Sequence, residues 1–123
     1  MMAADFDANK PIYQQLMDRI ISEIGRGDIK AGDKLTSVRE YAVEVGVNVN
    51  TIQRVYRELE YLEIVTTRRG QGTFVTENEL LLRQLREDMK QKIIKQFVEE
   101  MKNMGYSLND MIEGIKDEER DRK

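Results

Sequence analysis

Apolar residues recur at helical spacing over most of this chain and alternate at strand spacing over one short region. Ile12, Leu16, Ile20 and Ile24 fall four apart, with Tyr13, Met17 and Ile21 widening the stripe. That spacing predicts a helix with one core-facing side. Asn9-Lys10-Pro11 opens it, because proline's missing N–H is no loss in a first turn, and Gly25-Arg26-Gly27-Asp28 closes it. Ile29 to Leu35 reads as a short extended connection with a turn at Gly32. Val38, Tyr41, Ala42 and Val45 then line a shorter helix that stops at Gly46, a residue that accepts the left-handed backbone of a helix end. A third helix carries a buried seam of Ile52, Val55, Leu59 and Leu62.

Beyond these helices the period changes to two. Ile64-Val65-Thr66-Thr67 and Thr73-Phe74-Val75-Thr76 are rich in β-branched and aromatic residues and predict two strands. Arg68-Arg69-Gly70-Gln71-Gly72 lies between them as the turn of a hairpin. Helix, tight turn, helix and basic β-ribbon, in that order, is the layout of a winged helix-turn-helix DNA reader. The predicted class is therefore mainly α, in the α+β sense: three helices and a two-stranded wing over residues 1–76.

Residues 77–123 carry a different pattern. Leu82, Leu85, Met89, Ile93, Phe97 and Met101 recur every three or four positions as far as Gly105, with Leu81, Ile94, Val98 and Met104 broadening the stripe. Ser107 and Asp110 cap a second helix bearing Leu108, Met111, Ile112 and Ile115, and the charged tail from Lys116 is expected to fray. Two amphipathic helices of roughly 25 and 10 residues cannot bury two apolar faces within themselves. They must pack on the winged domain, on a second copy, or on both. The expected dimer contacts are Leu82, Leu85, Met89, Ile93, Phe97, Met101, Met111, Ile112 and Ile115. Glu87, Asp88, Glu99 and Glu100 interrupt the polar face, which disfavours a membrane-surface role.

Composition narrows the chemistry. The sequence holds no cysteine and no histidine, which removes disulfides, thiolate metal sites, and the commonest general base and zinc ligand. Serine stands only at 22, 37 and 107, and two of those read as helix caps. No paired-carboxylate or phosphate-loop constellation appears, so the expectation is a non-enzyme without cofactor or metal. No signal peptide or membrane span is visible, and a reducing cytoplasm fits. The net charge of −3 sits awkwardly with nucleic acid, whose readers are usually basic. The distribution softens that objection: residues 64–76 carry Arg68 and Arg69 and no acid, and local fields dominate within a Debye length of roughly 10 Å.

The candidate contact residues follow from these elements. Ser37 and Glu40 have the spacing of a reciprocal capping box, and the helix start they form can attract a phosphate. Arg39 lies on the outer face of that first turn, as a DNA contact or a solvated charge. Asn48 caps the third helix. Its outward face then presents Asn50, Thr51, Gln53 and Arg54, side chains able to pair with base edges or phosphates, although any exposed helix start favours polar residues. In the ribbon, Arg68, Arg69, Gly70, Gln71, Gly72 and Thr73 form a cationic, glycine-flexible tip whose N–H groups can approach a phosphate. A nucleotide-binding glycine loop is the weaker reading, because the third glycine, the lysine and the strand-to-helix context are missing. A winged-helix module for protein contacts is the alternative, although it would not need this set of polar and basic residues together.

Residues 10 to 76 resemble the GntR family of bacterial transcription regulators. The resemblance is carried by Pro11-Ile12-Tyr13-Gln14-Gln15-Leu16, Leu35-Thr36-Ser37-Val38-Arg39-Glu40, Asn50-Thr51-Ile52-Gln53-Arg54-Val55-Tyr56-Arg57-Glu58-Leu59-Glu60 and Arg68-Arg69-Gly70-Gln71-Gly72-Thr73-Phe74-Val75. It implies a homodimer bound to a pseudo-palindromic operator, with contacts at Arg39, Asn48 to Arg54, and Arg69 to Gln71. Thr36 and Glu63 stand where the family often has proline and glycine. Val49 stands where many members carry arginine, so their base preference does not transfer. The short tail resembles the YtrA-like subfamily, which implies dimerisation through two helices and repression without a dedicated effector domain.

Overall fold

The computed structural model describes residues 6–122. Its elements are α1 (Ile12–Arg26), α2 (Val38–Val45), α3 (Val49–Tyr61), β1 (Val65–Arg68), β2 (Gly72–Val75), α4 (Glu79–Asn103) and α5 (Leu108–Asp121). Two compact units result, one running through Arg86 and the other from Glu87 on. This division lies within α4, while the sequence pattern changes at residue 76. The first turns of α4 lie against α1, where Gly25 has no side chain and Arg86 Cγ comes 3.7 Å from the position a Cβ would take.

The core of the first unit is built from one face of each helix. Leu16, Ile20 and Ile21 of α1, Tyr41, Ala42 and Val45 of α2, and Ile52, Val55, Tyr56 and Leu59 of α3 are buried together with Ile64, Val65 and Val75. Leu62 is not part of the α3 seam. It is 46% exposed, because α3 ends at Tyr61 and the chain turns there; Tyr56 takes its place in the core. Burial pushes the Tyr56 hydroxyl's pKa up, and that hydroxyl donates to the Thr36 carbonyl at 2.6 Å. The bond fastens the approach to α2 onto α3.

Helix ends follow the local chemistry. Gly27 closes α1 at φ 86° and Gly46 closes α2 at φ 73°. Gly25 and Arg26, expected in the terminating turn, are still helical. Glu63 occupies the same left-handed region at φ 64° with a side chain attached. The departure from glycine therefore leaves the turn intact: Glu63 N–H still donates to Glu60 O at 2.9 Å, and Ile64 N–H to Leu59 O at 3.0 Å.

The wing is antiparallel, with Val65 opposite Val75, Thr66 opposite Phe74, Thr67 opposite Thr73 and Arg68 opposite Gly72. The segment expected as a mere connection adds a partial third strand. Leu35 N–H donates to Thr73 O and Val75 N–H to Asp33 O, each at 2.8 Å, and Lys34 bridges Phe74.

In the second unit, the Ser107–Asp110 capping box is reciprocal, and these hydrogen bonds hold the Asp110 carboxyl below its usual pKa. The helix that was expected to fray from Lys116 continues to Asp121. Ion pairs Asp117–Arg120 and Glu118–Arg122 support those last turns, at the i,i+3 and i,i+4 spacings that stabilise helices. No residue of α4 is buried within this chain. Ile93 is 64% and Ile115 53% exposed. Met111 is the exception among the expected dimer contacts: it is 2% exposed within its own chain, so it offers a second copy no free surface.

Candidate nucleic-acid interface

The short α2, the left-handed Gly46 and the Asn48 cap set α3 directly after α2, so the starts of both helices flank one surface. Arg39, Val43, Asn48 and Val49 line an open depression of about 480 Å3 between them. Val43 is 79% exposed there, an apolar group beside an arginine and an amide. Sequence reading passed over it because an exposed valine fits no amphipathic stripe. Asn50 and Gln53 are exposed on the outward side of α3, while Thr51 is half-buried.

Two of the expected contacts are partly engaged within the chain. Asn48 Oδ1 accepts from Asn50 N–H at 2.7 Å, leaving its amino group as the outward donor. Ser37 Oγ accepts from Glu40 N–H at 3.2 Å and donates to Glu40 Oε1 at 2.9 Å. The capping box expected here is therefore one-sided: the glutamate bonds the serine hydroxyl, not its backbone N–H. A carboxylate held at this helix start repels the phosphate that Ser37 was expected to attract, so Ser37 is best understood as an element of α2's geometry.

The arginines differ in freedom. Arg54 Cζ lies 3.7 Å from the centroid of the Tyr13 ring, and Arg68 Cζ lies 4.4 Å from that of Phe74. Both stacks are cation–π contacts. Arg69, at the tip, is exposed. Around it Gly70 takes φ 75° and Gly72 φ 123°, and Gln71 N–H closes the turn on Arg68 O at 2.9 Å. Thr73 is paired across the ribbon, its hydroxyl 3.4 Å from that of Thr67. One pair below the turn of the wing, Thr67 N–H donates to Glu60 Oε2 at 2.9 Å, tying the ribbon to α3.

Lys34 is the cation that sequence reading missed. The backbone bridge to Phe74 carries it onto the wing, and its Cε lies 2.7 Å from where a Cβ on Gly72 would stand. Gly72 is required for its φ of 123°, and the Lys34 side chain lies over the space its missing side chain leaves. Only the non-local pairing of residues 33–35 with β2 reveals this, and no periodicity within residues 29–35 encodes it. Among the described residues no cluster of carboxylates could hold a metal ion, and no helix is long and apolar enough to cross a membrane.

A reading helix after a capped short helix, with a cationic ribbon strapped to its C-terminal half, defines a winged helix-turn-helix protein. Residues 12–75 match the bacterial regulatory proteins of the gntR family, and the chain belongs to that family of transcriptional regulators. It is 45% identical to the uncharacterized HTH-type transcriptional regulator YhcF of Bacillus subtilis, across 94% of this chain and 95% of the relative. It is 38% identical to the HTH-type transcriptional repressor YtrA of the same organism, across 76% and 77%. Among solved structures, a GntR family transcriptional regulator from Listeria monocytogenes superposes with a TM-score of 0.85 at 43% identity, covering 91% of this chain and 98% of that one. At 91% of this chain, the match to the Listeria structure extends past the wing into the helical tail.

Proposed function

We propose that the protein is a sequence-specific repressor that binds a pseudo-palindromic operator as a homodimer. The observation that carries this is the single surface on which Arg39 and the polar start of α3 meet, extended by a wing with Lys34, Arg68 and Arg69. Asn50, Gln53 and Arg54 enter the major groove and read base edges, with the Asn48 amino group and Arg39 at its margin. The wing tip, Arg69 with the Gly70 N–H and the exposed Gln71 side chain, meets backbone or minor groove. Repression is supported by the likeness to YtrA, a named repressor.

Dimerisation is supported by the apolar side chains the second unit leaves exposed, Ile93, Phe97, Ile112 and Ile115, with Met89 and Met101 of that unit half-buried. A second copy covering them places two reading heads on two half-sites.

Titration onto a duplex from the promoter of its own gene, at two salt concentrations, tests this reading. A specific complex that weakens steeply with salt is expected, and its absence removes the proposal. Arg69→Ala should weaken specific and random duplexes alike. Asn50→Ala should cost about 1–3 kcal/mol at one base pair and relax preference there. Equal losses on both duplexes for both variants would contradict the assignment of base reading to α3.

A further inference from the structure

Resting on the DNA-binding reading above, we infer that Tyr13 of α1 is a positioning residue for Arg54, holding the guanidinium in the orientation in which it meets DNA. Sequence pattern makes α1 core and scaffold only, and Leu16, Ile20 and Ile21 do serve the core. Tyr13 sits a turn earlier, half-buried, while Arg54 is exposed. The ring is therefore fixed by the packing of α1, and the cation it faces at 3.7 Å stays in solvent.

Three features make this a presenting contact. A free arginine side chain loses rotamer freedom when it binds, and a stack formed beforehand removes part of that loss. Stacking occupies the face of the guanidinium and leaves its in-plane N–H groups directed outward, where a base edge or a phosphate can accept two of them. No carboxylate forms an ion pair with Arg54 among the described residues, so nothing competes for those donors. Among the described residues the tyrosine hydroxyl accepts only a 3.3 Å contact from its neighbour Gln14, which makes the ring, not the hydroxyl, the working part.

Binding of the full chain to the promoter duplex, measured for a double-mutant cycle, tests the inference. Tyr13→Phe keeps the ring and should bind within about twofold of the wild type. Tyr13→Leu should bind about two- to five-fold more weakly. In an Arg54→Ala background, Tyr13→Leu should have no further effect. Thermal unfolding of each variant keeps a folding defect separate, and Tyr13→Phe remains informative if Tyr13→Leu is unstable: a loss of binding in the phenylalanine variant overturns the role of the ring. The same loss from Tyr13→Leu with and without Arg54 shows that Tyr13 acts only through the fold and overturns the inference alone. Unchanged or tighter binding by Tyr13→Leu overturns it as well. Failure of the wild-type chain to form a specific complex overturns the function reading, and this inference with it.

Discussion

At the scale of single residues, Glu63 and Tyr56 show how local conformation and burial set stability. A left-handed backbone costs a residue with a Cβ about 1–2 kcal/mol, and Glu63 holds φ 64°. Glycine removes that strain but gains about 0.5–1 kcal/mol of freedom in the unfolded chain. Glu63→Gly should therefore stabilise the protein by about 0.5–1 kcal/mol, read as a higher denaturant midpoint at unchanged slope. Tyr56 titrates in the opposite sense to a salt-bridged acid. Burial raises its pKa, so the folded state favours the neutral phenol. Its contribution is complete below the unfolded value of about 10 and is lost as pH rises above it. The unfolding midpoint should fall above about pH 10, and Tyr56→Phe should flatten part of that fall. Tyr41, raised mainly by burial too, retains the remainder.

At the scale of elements, the wing depends on α3 through one carboxylate. Glu60→Ala and Glu60→Gln both remove a negative charge near DNA, but only glutamine keeps an acceptor for Thr67 N–H. The alanine variant should bind DNA more weakly than the glutamine variant and exchange the Thr67 amide faster; equal behaviour would show that the strap is idle. The helices and the hairpin were legible from the sequence because each is specified by neighbours three or four residues away, or by glycine at a turn. What escaped was non-local. Lys34 reaches the wing only through pairing with β2, Leu62 leaves the core because α3 stops one residue earlier, and Arg54 meets the ring of Tyr13, far back in the chain. The extension of α5 to Asp121 was missed for another reason: a dense run of charges resembles a frayed end unless the i,i+3 and i,i+4 partners are counted.

At the scale of the whole molecule, the exposed apolar residues of the second unit matter most. On the proposed dimer they are covered by a second copy, and the division at Arg86 says where to cut. A chain ending at Arg86 keeps the contact between α4 and Gly25 and should remain folded, elute as a monomer and bind the promoter duplex weakly. An unchanged dimer mass by light scattering would remove the tail from that role. The strap from Glu60 to Thr67 has a consequence for redesign as well. A recognition helix borrowed from a relative would bring its own base contacts, but it would leave the host ribbon untethered if the donor lacked an acid at this register. The smallest cassette worth transplanting is therefore the whole stretch from Asn48 to Val75, together with residues 33–35, whose backbone pairs with β2.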